Sequence, residues 1–150
     1  MSGDVYELSG LAVPAGLTRL HDLLERAAAE HADVAPADAM LFETAVIEIA
    51  NNVVAHGRPK GRVTWRVLIE IRDDGLVATL SDSGEEFAGP LTAALPESLQ
   101  TSGRGLAIAQ AALDELSYER AAGLNRWRMV RFRHAASRAD AMEQRPLDRP

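Results

Sequence analysis

Three short polar clusters in this 150-residue chain have the residue types and spacing to do chemistry. The first is Glu48, Asn52 and His56, spaced by four. On an α-helix each step of four advances only about 40°, so the three lie along one stripe. A carboxylate there can accept a proton. An amide oxygen can coordinate a hard cation such as Mg2+, which prefers oxygen ligands. An imidazole at the helix end can cap it and face the dipole. The second cluster is Asp82-Ser83-Gly84, with Phe87 just after. An acid at the end of a strand can accept a hydrogen bond from an exocyclic amine, as on adenine, and the glycine lets backbone approach a flat ring. The third is Thr101-Ser102-Gly103-Arg104-Gly105-Leu106. Glycines at a helix N-terminus expose N–H groups and the positive dipole end, which suits phosphate. Arg104 adds a charge-assisted contact. Each cluster alone also reads as ordinary structure: a solvated helix face, a turn, a loop capped by Ser102. Together they supply a base and metal ligand, a ring reader and a phosphate cradle, which describes a nucleotide site. The third cluster is neither a P-loop nor a dinucleotide fingerprint, since no Gly-Lys-Ser/Thr follows and no βαβ unit surrounds it.

The elements around these clusters follow from periodicity and punctuation. Val5 to Val13 reads as a strand. Pro14 opens a helix with Leu17, Leu20, Leu24 and Ala28 on its core face, and His21 and His31 read as surface residues on it. A second helix runs from Pro36 to His56 with the apolar stripe Phe42, Val46, Ile49 and Val53, and Gly57 and Pro59 stop it. Val63, Trp65, Val67, Ile69 and Ile71 alternate with mostly polar neighbours and form the clearest strand. Asp74-Gly75 predicts a hairpin, so Leu76 to Asp82 returns antiparallel. Gly84 to Gly103 has no sustained period and reads as a long loop. The third helix carries Leu106, Ala109, Leu113 and Leu116 on one face. Ser117 to Ala121 and Asn125 to Phe132 form a last hairpin around Gly123. The tail 135–150 is polar and reads as disordered. The order predicts an α+β fold: a mixed, mostly antiparallel sheet covered on one face by three helices, in one domain spanning 1–134.

Composition excludes several classes. Apolar residues make up 47% and charged residues 25%, an ordinary globular balance. With no cysteine, thiol catalysis, disulfides and iron–sulfur clusters are ruled out. His21, His31, His56 and His134 lack zinc spacing. The net charge of −6 argues against direct nucleic-acid binding. The five arginines from Arg120 to Arg133 read as the exposed side of the last hairpin. No apolar run approaches a membrane span, so a cytoplasmic location is the expectation.

The three clusters resemble the N, G1 and G2 boxes of the GHKL ATPases. The matches are Glu48-x-x-x-Asn52-x-x-x-His56, Asp82-x-Gly84-x-x-Phe87 and Gly103-x-Gly105-Leu106. The chain resembles in particular the bacterial anti-sigma factor serine/threonine kinases. Glu97-Ser98-Leu99, Asp114-Glu115 (read as late in the third helix), Tyr118-Glu119-Arg120 and Asn125-Arg126-Trp127-Arg128-Met129 add to the likeness. The family usually has alanine where Val53 stands and a less polar residue than Asn51. Residues 85–102 match poorly. The resemblance implies the Bergerat fold binding ATP and Mg2+. It implies Glu48 as the base for a protein serine hydroxyl and Asn52 as the Mg2+ ligand. It implies Asp82 and Gly84 at adenine, Gly103, Arg104 and Gly105 against the phosphates, and Asn125 near adenine. Beside these, His56 and Leu106 are carried as cofactor-site positions. The implied partners are a sigma factor and a STAS-type anti-anti-sigma protein, with a possible homodimer. The alternative expectation is a non-catalytic, ATP-binding partner-switching module. A detached histidine-kinase domain and a water-activating ATPase are weaker readings.

Overall fold

A computed structural model describes residues 3–87 and 100–134, with backbone alone at 100–103. The elements run β1 (Asp4–Leu11), α1 (Pro14–Glu30), α2 (Pro36–His56), β2 (Thr64–Ile71), β3 (Gly75–Asp82), α3 (Gln100–Ala112), β4 (Glu115–Ala121) and β5 (Leu124–Phe132). The five strands form one sheet in the order β1-β2-β3-β5-β4. Every described pairing is antiparallel, so the expected mixed sheet is antiparallel throughout. The fold is α+β, as the order of elements in the sequence predicts.

Register places Leu8, Val67, Leu80, Trp127 and Tyr118 in one row across the sheet. The first four are buried and Tyr118 is half-buried. The next rows hold Tyr6, Ile69, Ala78 and Met129, then Ile71 and Leu76, all buried under the helices. Phe42, Val46, Ile49 and Val53 of α2 fill the same core, as their spacing predicts. On α1 the stripe is Leu20, Leu23, Leu24 and Ala27. Ala28 is exposed and Leu17 only half-buried, because the core face is turned by one residue from the expected one.

The third helix is shorter at its C-terminus than periodicity predicts. It ends at Ala112, and Leu116 lies in β4. The Asp114 N–H donates to the Val130 carbonyl at 2.9 Å, and its carboxylate accepts from the Phe132 N–H. Asp114 is thus spliced onto β5, and Glu115 already belongs to β4. Leu116 and Tyr118 then alternate with the exposed Glu115, Ser117 and Glu119. The spacing of two was present in the sequence, but Leu113 and Leu116 also fit a helix. The expected disordered tail lies outside the described residues.

The arginines are not one exposed patch. Arg126 and Arg128 face outward, near Glu119 and Glu115. Arg131 points to the core and meets the buried Asp38 at 2.8 Å. Arg133 reaches Asp33 at 3.0 Å. Arg120 crosses to the turn after β3.

His31 is also not a surface residue: its side chain is 15% exposed and lies 3.0 Å from Asp4. Beside it, the Tyr6 hydroxyl donates to Glu30 at 2.7 Å, tying β1 to the end of α1. Burial and that bond, with the negative charge of Glu30, push the Tyr6 phenol up to about 12 from its ordinary 10.0. The folded value lies above the unfolded one. This contribution to stability is therefore complete below pH 10 and is lost as pH rises through 12. Denaturant midpoints measured from pH 9 to 12 should fall across that window, and Tyr6→Phe should flatten the fall. An equal fall in Tyr6→Phe would assign the alkaline sensitivity to other groups.

Candidate functional site

Glu48 and Asn52 are both half-buried on α2, beside its core stripe. Their neighbour is Gly105. A Cβ built there would stand 2.6 Å from Glu48 Oε2 and 3.8 Å from Asn52 Oδ1. A side chain at 105 would push the Glu48 carboxylate, the mobile end of its side chain, out of this place, so glycine is what lets the carboxylate rest against α3. Sequence spacing put the glycines at the start of the third helix. That helix begins earlier, at Gln100, so Gly103 sits in its first turn and Gly105 in its second. Arg104 is exposed and Leu106 buried.

A second group gathers at the opposite end of each strand from Arg131. Register sets Trp65, Asp82, Asn125 and Arg120 side by side on β2, β3, β5 and β4. Asp82 and Asn125 are each 3% exposed, two of the few polar side chains in the core. Asp82 Oδ1 accepts from the Gly84 N–H at 2.9 Å and from Asn125 Nδ2 at 2.9 Å. Among the described residues neither bond uses Oδ2. Asn125 Nδ2 also donates to the carbonyls of Gly84 (3.2 Å) and Glu85 (2.8 Å). Its oxygen accepts from the Tyr118 hydroxyl and from Arg120 Nη1. The Asn125 amide is thus engaged with protein groups on both ends, which makes it a support for Asp82. Phe87 donates its N–H to Tyr118 Oη and packs edge-on against Tyr118 and Trp127.

The turn after β3 is braced from below as well. Ser83 exchanges bonds with Thr64, and the Glu85 N–H donates to the Arg58 carbonyl at 3.0 Å. Arg58 follows closely on His56, the exposed last residue of α2. The end of α2 carrying His56 is therefore tied to the turn carrying Gly84. A Cβ on Gly84 would lie 3.0 Å from Asp82 Oδ1, so a side chain there would press on the carboxylate.

A family model for the histidine kinase-like ATPase domain matches residues 12–131. The chain belongs to this family. Membership of the histidine kinase-like ATPase domains implies ATP binding, typically with Mg2+. The residues present fit both. The Asn52 oxygen, half-buried and close to the backbone of Gly105, suits a hard, water-keeping cation held mainly by phosphates. Among the described residues no cluster of three His, Cys, Asp or Glu side chains competes as a metal site. The fold is similar to a chain containing the RsbU and RsbW domains of Rv1364c from Mycobacterium tuberculosis. The TM-score is 0.60 at 18% identity, covering 86% of this chain and 32% of that one. It also matches the Acinetobacter baumannii histidine kinase AdeS at 12% identity, with a TM-score of 0.47 and coverage of 89% and 70%. No curated protein matches. Among the described residues no helix of this ATPase domain is long and apolar enough to cross a membrane.

Sequence reasoning missed the support layer. Arg120 and Tyr118 carry alternate positions of β4, on the face shared with Leu116, and that spacing was the available signal. The two departures from the family pattern part company: Val53 is buried in the core stripe and Asn51 is exposed.

Gly105→Ala should cut any Glu48-dependent turnover about a hundredfold, the order expected when a reacting group is moved by about 1 Å. Melting temperature and turnover measured on the same preparation check this. An unchanged turnover would mean that Glu48 does not act from the place it occupies here.

Proposed function

We propose that the chain is an ATP-dependent protein serine/threonine kinase acting as an anti-sigma regulatory factor. Its domain spans 1–134 and works in the cytoplasm. It phosphorylates a serine on a STAS-type anti-anti-sigma partner, and the unphosphorylated partner draws it away from its sigma factor. The observation carrying this reading is the convergence of the Glu48 carboxylate and the Asn52 amide oxygen on Gly105. A base and a cation ligand then share one strip of glycine backbone, the arrangement phosphoryl transfer needs.

In this mechanism Asp82 accepts from the adenine amine, with Gly84 shaping the ring's pocket. Gly103, Arg104 and Gly105 line the phosphates, and Leu106 anchors that strip in the core. His56 closes the stripe on α2. Asn52 would hold Mg2+, which would supply positive charge to offset that of the phosphates. Glu48 takes the serine proton as the serine oxygen bonds to the γ-phosphorus. The bond from that phosphorus to the bridging oxygen breaks, and ADP leaves. Because the chemistry is mainly positioning and electrostatics, a single carboxylate base suffices.

The test is incubation with γ-labelled ATP and a soluble lysate of the source organism, after ATP binding has been established by calorimetry. A discrete protein labelled on serine supports the kinase. Label released only as inorganic phosphate would identify a water-activating ATPase. Binding without release or transfer would favour the non-catalytic partner-switching module.

A further inference from the structure

We propose that the turn 58–62, between α2 and β2, is an interaction surface for an acidic segment of a partner protein. The inference stands apart from the nucleotide reading, because none of the turn's side chains is assigned to that site. Arg58, Lys60 and Arg62 are cationic, and all three are exposed. The stretch 57–63 contains no acid, in a chain whose net charge is −6. Elsewhere the molecule neutralises its cations. On the strands and at their ends Arg66, Arg72, Arg126, Arg128, Arg131 and Arg133 stand against carboxylates, none farther than 3.9 Å. Among the described residues no such ion pair holds Arg58, Lys60 or Arg62. Glu85 and Glu86, exposed on the adjoining turn after β3, pair with none of the three.

The turn is also built to hold its shape. The Arg62 N–H donates to the Pro59 carbonyl at 3.0 Å, closing four residues with Gly61 in third place at φ 78°. A positive φ at that place is what a type II turn requires. The Glu85 N–H donates to the Arg58 carbonyl at 3.0 Å, and the Ala12 N–H to the Val63 carbonyl at 2.8 Å, so both ends are fastened to neighbouring segments. A Cβ on Gly61 would meet nothing within 4 Å, so the tip stands clear. The backbone is thus ordered before a partner arrives, which lowers the cost of binding. Three like charges on one turn raise the local potential and draw in carboxylates. Two of them are arginines, whose fork meets a carboxylate at two points. A duplex or a membrane presents charge over an area wider than the turn, and would bring the rest of a surface of net charge −6 against like charge. A single acidic segment meets the turn alone. The chain's own tail supplies no such segment, since 135–150 sets Asp140, Glu143 and Asp148 against Arg138, Arg145 and Arg149.

The experiment is an NMR titration of the isotope-labelled full chain with an octa-glutamate peptide in about 0.15 M salt, where charges more than about 8 Å apart are largely screened. The expected result is saturable binding with amide shifts centred on 57–63. Affinity should fall about tenfold or more in the triple variant Arg58→Gln, Lys60→Gln, Arg62→Gln, and by a similar factor in about 0.5 M salt. The melting temperature of that variant should stay at the wild-type value, since the three side chains hold no counter-ion. Shifts spread over the surface or centred on Arg104 would overturn the assignment. Affinity unchanged in the triple variant would do the same, as would the absence of saturable binding. Duplex DNA and phosphatidylserine vesicles are titrated alongside. Tighter binding of either through the same residues would give the turn to that class of partner and overturn the acidic-protein assignment. The map of shifts needs no variant, so the wild type decides even where the variant fails to fold. ATP binding, measured separately, stands or falls on its own.

Discussion

Glu48→Ala should lower phosphoryl transfer by about 10²–10⁴-fold, the usual worth of a positioned general base, with ATP affinity largely kept. The separation of the two effects follows from geometry. In the proposed mechanism adenine recognition falls to Asp82, on β3, and cation binding to Asn52, one helical turn from Glu48. The substitution removes a carboxylate next to Gly105 and enlarges the space there, so it adds no clash to the phosphate end. Glu48→Gln is the sharper variant, because it keeps shape and removes only the basic oxygen. Single-turnover transfer with labelled ATP, alongside calorimetric ATP binding, checks both parts. Equal losses in binding and transfer would turn Glu48 into a structural neighbour of Gly105. Unchanged transfer would remove it from the chemistry altogether.

The sequence was most legible where one physical signal acted alone. The α2 limits follow from Pro36 and from Gly57 with Pro59, and its stripe is buried as its spacing predicts. The hairpin between β2 and β3 follows from Asp74-Gly75 and clean alternation. Legibility failed where two periods fitted one segment. Leu113 and Leu116 continue the α3 stripe at helical spacing, yet Leu116 and Tyr118 also alternate as a strand. The tertiary pairing of Asp114 with β5 decided for the strand. The Gly-rich start of α3 was misplaced for a related reason. The expected loop runs to Gly103 with the glycines at the helix N-terminus, whereas α3 begins at Gln100; glycine's cost in a helix interior, about 1 kcal/mol against alanine, gives no local signal for that earlier start. What Gly105 serves is the close approach to Glu48, a contact between distant segments that no local window contains.

The candidate site divides in the same way. Glu48, Asn52, Asp82 and Gly105 stand out by type and spacing. The residues that hold them do not. Arg120 and Tyr118 matter only because the order β3-β5-β4 puts them in register with Asp82 and Leu80 across the intervening β5. Arg131 and Asp38 are 93 residues apart in sequence and 2.8 Å apart in space. Asp38 looks in sequence like an ordinary acid in the first turn of a helix, where it faces the positive dipole end.

That pair sets the largest stability effect expected in the molecule. Asp38 is 2% exposed, and the Arg131 side chain is 13% exposed. Arg131 Nη1 also donates to the Ala112 carbonyl at 2.9 Å, at the end of α3. The His134 N–H donates to Asp38 Oδ2 at 3.2 Å, and its ring nitrogen lies 3.1 Å from Oδ1. One buried carboxylate thus joins the start of α2 to the end of β5, while its arginine partner joins both to α3. Asp38→Ala would leave a nearly buried guanidinium without its counter-ion. The expected cost is about 3–5 kcal/mol, because desolvation of the remaining charge is no longer offset. Set against a total stability of about 5–15 kcal/mol for a domain, this loss is large. Urea unfolding with an unchanged slope would measure it directly. The double variant Asp38→Ala with Arg131→Met should recover much of the loss, since removing both charges removes the orphan. If the double variant is instead as unstable as the single one, packing and the bonds to His134 and Ala112 carry the node, and the ion pair itself contributes little.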